Sequence, residues 1–111
     1  MIDIKSTKEE DYMVIEVTGE VDASSSINLD SAINKAIESG ETRLLIDCHR
    51  LNYISSAGLG VFMSHIQDLE NEKIKMVIYG LNEKVVNVFQ ILGLDELLKI
   101  VDKKAQAIEL L

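Results

Sequence analysis

Two short apolar runs, Leu44-Leu45-Ile46 and Met76-Val77-Ile78, constrain this chain more than any other feature. Each is flanked by longer stretches with apolar residues at helical spacing. A short run without polar alternation is the pattern of a strand buried on both faces. Such a strand needs cover on both sides, and alternating helices supply it in an α/β layer fold. The central strands are therefore placed at Arg43–Cys48 and Lys75–Gly80.

The remaining elements follow from periodicity. Ile2, Ile4 and Ser6 alternate with polar neighbours and give a short first strand. Residues 12–18 (Tyr-Met-Val-Ile-Glu-Val-Thr) are rich in β-branched residues and give a second. The charged stretch Lys8-Glu9-Glu10-Asp11 is the turn between them, which makes a hairpin. Gly19-Glu20-Val21-Asp22 closes its second arm. Ser24-Ser25-Ser26 reads as a capping run for a helix whose inner face holds Ile27, Leu29, Ala32, Ile33, Ala36 and Ile37. Gly40 is its stop. After a loop over residues 49–54, Leu59, Phe62, Met63, Ile66 and Leu69 mark a second helix. Glu83 to Leu92, ended by Gly93, is a third; Ile100-Val101 is a short last strand; Ala105 to Leu111 is a final helix. The order is β-β-α-β-α-β-α-β-α: a mixed, mostly parallel sheet of about five strands with about four helices.

The chain has 111 residues, enough for one domain with its own core, expected to fill residues 1–111. Aromatic residues are 5% and Trp is absent, so the core must be aliphatic. The net charge of −8 argues against nucleic acid or an anionic membrane surface as the direct partner, since both call for clustered Lys and Arg. Cys48 is the single cysteine, which excludes an internal disulfide and suggests a reducing compartment. The first residues show no signal-peptide pattern, and no apolar run is long enough to span a membrane. A cytoplasmic location is expected.

Chemistry can sit where a buried strand gives way to a helix, at Asn52-Tyr53-Ile54-Ser55-Ser56-Ala57-Gly58-Leu59-Gly60. A helix N-terminus offers unpaired N–H groups and a partial positive charge. Two serines there can cap the helix, and they can also accept a phosphate. Gly58 and Gly60 cost helix propensity but allow close backbone approach. On spacing alone, serine caps and packing glycines explain the segment as well as a modification site does.

Residues 53–60, Tyr-Ile-Ser-Ser-Ala-Gly-Leu-Gly, resemble the signature segment of the STAS family, in particular of the anti-sigma-factor antagonists. Further stretches agree with that family in order: Val17-Thr18-Gly19-Glu20-Val21-Asp22, Leu45-Ile46-Asp47 through Leu51, Val85-Val86-Asn87-Val88-Phe89 and Leu92-Gly93-Leu94. The resemblance covers nearly the whole chain without insertions. It implies the STAS fold, with Ser56 as phosphoacceptor and with Asp22, Ser55, Ser56, Ala57, Gly58 and Leu59 facing the partner. Ser55 stands where the family usually has Asp, and Ala57 where it has a second hydroxyl residue. The binding face thereby loses one negative charge, and Ser56 is left as the acceptor. The implied function is partner switching. The unphosphorylated protein binds a serine-kinase anti-sigma factor and frees a sigma factor; phosphorylation of Ser56 ends the complex; a metal-dependent serine/threonine phosphatase resets it. The other reading is a STAS module of another branch, such as a stressosome, a two-component output or a lipid-transport partner.

No enzymatic activity and no cofactor are expected. Asp47-Cys48-His49 holds metal-type ligands, but neighbouring strand residues point to opposite faces and no second Cys/His pair supports a site. Ser56-Ala57-Gly58 lacks the Gly-x-Ser-x-Gly elbow of a serine hydrolase. Gly58-Leu59-Gly60 lacks the third glycine of a dinucleotide fingerprint. His65, mid-helix, reads as a surface or partly buried residue. Glu70, Glu72, Lys73 and Lys75 read as a solvated helix end and loop.

Overall fold

The computed structural model describes residues 2–111. Its elements are β1 (Ile2–Glu9), β2 (Tyr12–Val21), α1 (Ser26–Glu38), β3 (Arg43–Ile54), α2 (Ser56–Asn71), β4 (Lys75–Tyr79), α3 (Glu83–Ile91), α4 (Leu94–Leu97), β5 (Lys99–Val101) and α5 (Lys104–Glu109). The strands form one five-stranded sheet in the order β1-β2-β3-β4-β5. β1 runs antiparallel to β2, and every later neighbour is parallel. This is the mixed, mostly parallel sheet that the apolar runs call for.

Parallel neighbours joined in sequence by right-handed crossovers put all the crossover helices on one face. The core reflects this. Its larger part joins Ile15, Val17, Leu44, Ile46 and Ile78 of the strands to Leu29, Ile33, Phe62 and Phe89 of the helices. Among the described residues the opposite face is covered by α5 and the Leu111 that follows it, with Ala107 packed on Tyr12, Val14, Leu45, Val77 and Tyr79. Leu44, Leu45 and Ile46 are fully buried, as a strand covered on both faces requires. Phe62 and Phe89, with ring centroids 6.0 Å apart and tilted by 55°, tie α2 to α3.

The structure redraws several boundaries. β1 and β2 are longer than alternation indicates, because eight cross-strand pairs hold them and the turn shrinks to Glu10 and Asp11. The third helix ends before Gly93, at φ +73, as expected, and a short α4 over Leu94–Leu97 follows that periodicity does not mark; the helices of the described residues number five rather than about four. Gly40, at φ +87, stops α1 as expected, and the Glu41 N–H donates back to the Ala36 carbonyl (3.1 Å).

The largest difference is residues 49–54, which are not a loop but the second half of β3. They pair with the end of β2 through register shifts between Glu16 and Thr18 and between Gly19 and Glu20. Each shift inserts one extra β3 residue and rotates the strand. The buried positions there become Cys48, Leu51 and Ile54, three residues apart. That spacing conceals a strand from any test for period two.

Phe89 is fully buried against Phe62. Phe89→Ala is expected to lower unfolding free energy by about 3–5 kcal/mol, measured by urea denaturation.

Candidate functional site

The extra length of β3 builds the site. Val21 and Ile54 are the last register partners of β2 and β3, so Asp22 and Ser55 leave the sheet side by side. The Ser55 N–H donates to the Val21 carbonyl (2.7 Å) and fixes the two chain segments together. Ser55 then caps α2: its hydroxyl oxygen accepts from the Gly58 N–H (3.3 Å), and its carbonyl accepts from the Leu59 N–H (3.0 Å). Ser56 is the first residue of the helix and is exposed. The two serines thus divide the tasks that spacing left open. Ser55 does the capping, and Ser56 projects from the N-terminal turn of a 16-residue helix.

Asp22 organises the other half. Its carboxylate accepts from the Ser25 N–H (2.8 Å) and the Ser24 hydroxyl (2.9 Å), and the Ser25 hydroxyl oxygen accepts from the Asp22 N–H (2.9 Å). The expected capping of α1 by the serine run is therefore corrected. Ser25 occupies the cap position without a side-chain cap bond. The hydroxyls of Ser24 and Ser25 turn back to Asp22, and that of Ser26 donates to the Ala23 carbonyl (2.8 Å). Backbone carbonyls of Asp22 and Ser25 receive the first helical N–H groups instead. The bonds from the Ser25 N–H and hydroxyl and the Ser24 hydroxyl hold the exposed Asp22 carboxyl down at about 2.

Of the six residues expected to face a partner, Asp22, Ser56 and Ala57 are exposed and Ser55 is half-buried. Gly58 and Leu59 are a correction: both are buried in the chain's own core. Gly58 seats α2 on the strand ends. A Cβ there would lie 2.6 Å from Ile54 Cγ1 and 2.7 Å from Val21 Cγ1. Gly60 differs, since a Cβ there would meet nothing within 4 Å. No packing inside this chain requires glycine at position 60.

Sequence reasoning also misplaced two apolar side chains, Ile27 and Met63. Ile27 and Met63, counted with the inner helix faces, are 68% and 51% exposed, and Tyr53 is 52% exposed. Ile27 precedes Leu29 by two residues, about 200° around a helix from the buried stripe, which is the signal that could have found it. Ile27 also lines a cleft of about 320 Å³ between α1 and α2, with Asp30, Ala57, Gly60 and Val61. Deeper between the same helices, His65 is not a surface residue. It is buried at 4%, with Nε2 2.7 Å from Asp30 Oδ1. Packing of α2 on α1 buries it there, and its Nδ1 has no partner among the described residues.

Asp47 and His49 meet through the His49 ring nitrogen, whereas Cys48 points into the opposite, helix-side core. Burial pushes the Cys48 thiol well up, so it holds its proton. Among the described residues no group of three or more His, Cys, Asp or Glu side chains is arranged to hold a metal ion, and no helix is long and apolar enough to cross a membrane.

Residues 3–107 match the family model of the STAS domain. The chain belongs to the STAS domain family. The "Anti-sigma-B factor antagonist" of Listeria monocytogenes is 30% identical over 99 residues, 89% of this chain and 86% of that protein. Among solved structures, an anti-sigma factor antagonist from Mycobacterium paratuberculosis superposes with a TM-score of 0.89 at 19% identity, covering 98% of this chain and 92% of that one. The Bacillus cell fate determinant SpoIIAA in its phosphorylated form superposes at 0.72 with 22% identity, covering 98% and 97%. At such identities the two structures speak to the STAS fold alone.

The two STAS-signature glycines should separate in mutagenesis. Gly58→Ala is expected to destabilise by about 1–3 kcal/mol through overpacking. Gly60→Ala should be neutral or stabilising by up to about 1 kcal/mol, because alanine favours a helix. Urea titrations of both variants check this. The Asp22 turn has its own signature. Its carboxyl is depressed, so the stability it adds is complete above the ordinary value of 3.8 and is lost as pH falls through about 2. The Ser25 amide resonance is expected to titrate with its midpoint near that lower value.

Proposed function

We propose that this STAS protein is an anti-sigma-factor antagonist whose working unit is residues 1–111 and whose switch is Ser56. The observation that carries the reading is the division of labour at the start of α2. Ser55 caps the helix, while the exposed Ser56 side chain can be modified without removing that cap.

A phosphate on Ser56 adds about −1.5 to −2 charges and three acceptor oxygens. The N-terminal turn of α2 favours that charge, so the host fold tolerates it. The Asp22 carboxylate, ionised at neutral pH, leaves the sheet next to Ser55, and the exposed Glu20 pairs in register with Tyr53. The modified face becomes strongly anionic, and a partner fitted to the unmodified face would have to desolvate the phosphate. A coupling of about 3 kcal/mol suffices to change occupancy about a hundredfold. The partner in this reading is a serine-kinase anti-sigma factor, which supplies the nucleotide and the phosphoryl transfer. A metal-dependent serine/threonine phosphatase reverses the modification. The protein itself acts by binding, not catalysis, and it acts in the cytoplasm.

The exposed Ile27, Tyr53 and Met63 support a protein partner, because large apolar side chains beside a polar switch supply contact area. Incubation with the cognate kinase and ATP is expected to add one phosphate, placed on Ser56 by mass spectrometry. Ser56→Ala should hold the kinase persistently and Ser56→Asp should bind it poorly. Equal affinities of the two variants, or a phosphate mapped elsewhere, would refute the assignment.

A further inference from the structure

We propose that two copies of this chain associate through the free edge of β1, antiparallel, with Ile4 facing Ile4 of the second copy. Sheet edges present unpaired N–H and C=O groups that template pairing with another strand. One edge of this sheet is β5, three residues long. The other is β1, eight residues long, paired to β2 without a register shift. The chain contains no proline to blunt it.

The register follows from hydrogen-bond parity and charge. Glu9 and Tyr12 close a two-residue turn, so they form a hydrogen-bonded pair. Hydrogen-bonded and non-bonded pairs then alternate along β1. Ile2, Ile4, Ser6 and Lys8 fall in the non-bonded pairs and aim their N–H and C=O groups at the free edge. A second β1 must therefore set these even-numbered residues opposite one another. Centring on Ile4 does so, matching Ile4 with Ile4 and Ile2 with Ser6. The same register sets Asp3 opposite Lys5 and, by the two-fold symmetry, Lys5 opposite Asp3.

The other two-fold registers are poorer. Centring on Asp3 or on Lys5 sets like charges face to face, and centring on Ser6 sets Asp3 against Glu9. Centring on Thr7 needs Glu9 for Lys5, but Glu9 already receives Lys104 Nζ at 3.1 Å. Lys8, the other edge lysine, is bound to Glu41 within its own chain.

The surface behind β1 fits the same occupant. A groove of about 550 Å³ lies between β1 and α1, with Ile2, Ile4, Met13 and Ala32 among its lining residues and Asp3 and Lys35 among its polar ones. A two-fold axis normal to the sheet keeps both helical layers on one side, so the two grooves meet above the Ile4 pair. It also points the two Ser56 ends in opposite directions, leaving each open.

Sedimentation equilibrium over a concentration series is expected to show reversible dimerisation of the wild-type chain. Within its own chain position 3 pairs in register with the uncharged Thr18, and Asp3→Lys sets like charges opposite twice across the dimer. It should weaken dimerisation by about tenfold, and so should Lys5→Asp. The double variant Asp3→Lys with Lys5→Asp restores opposite charges and should return to wild-type affinity. Circular dichroism of each variant checks that the fold is kept. A wild-type chain that stays monomeric at every concentration would overturn the proposal. So would single variants that dimerise like wild type, or a double variant no better than the singles.

Discussion

The hydrogen bond from the Ser55 N–H to the Val21 carbonyl is the contact on which the site depends. It extends the β2–β3 pairing one step beyond the last sheet pair, at the point where both strands turn into other structure. Without it, the Asp22 turn and the start of α2 would be two unrelated surface features. With it, an ionised carboxylate, a capping serine and an exposed serine share one edge of the molecule. The helix can sit so close because Gly58 has no Cβ to strike Val21 and Ile54. Backbone pairing, a missing side chain and a helix terminus together fix where Ser56 projects.

The same end of the molecule shows how polar groups are assigned between structure and surface. Three hydroxyls in the serine run are engaged within their own turn: those of Ser24 and Ser25 hold the Asp22 carboxylate in place, and that of Ser26 donates to the Ala23 carbonyl. His65 and Asp30 make a polar contact between α1 and α2, just below the cleft that Ile27 and Gly60 line. A buried imidazole in such a place limits how the two helices can slide, because moving them would leave it without its partner. Gly60, free of internal neighbours, and the exposed Ile27 and Met63 have no structural duty in the monomer core.

Much of the fold was legible in the sequence because it rests on local rules. Leu44-Leu45-Ile46 and Met76-Val77-Ile78 announce doubly covered strands, and helical spacing around them announces the crossovers. Gly40 and Gly93 mark helix ends through backbone preferences that need no tertiary partner. The second half of β3 was illegible because register shifts replace alternation with a spacing of three. The cap of α1 was misread because three serines in a row look alike, while a local turn at Asp22, two and three residues earlier, competes for the hydroxyls of Ser24 and Ser25. The inner and outer faces of α1 and α2 were blurred at Ile27 and Met63, since hydrophobicity alone does not say which helix side has a neighbour.

By itself, then, the sequence determined the layer architecture, the element order and the segment in which the site lies. Apolar periodicity and helix-terminus chemistry act over a few residues and are written directly in the chain. Tertiary structure decided what each residue of that segment does. Whether Ser55 or Ser56 is the cap, whether Gly58 or Gly60 is needed for packing, and whether Leu59 faces in or out depend on how the end of β3 is held against β2, more than thirty residues back in the chain. Those are contacts of long sequence separation, and no local pattern records them.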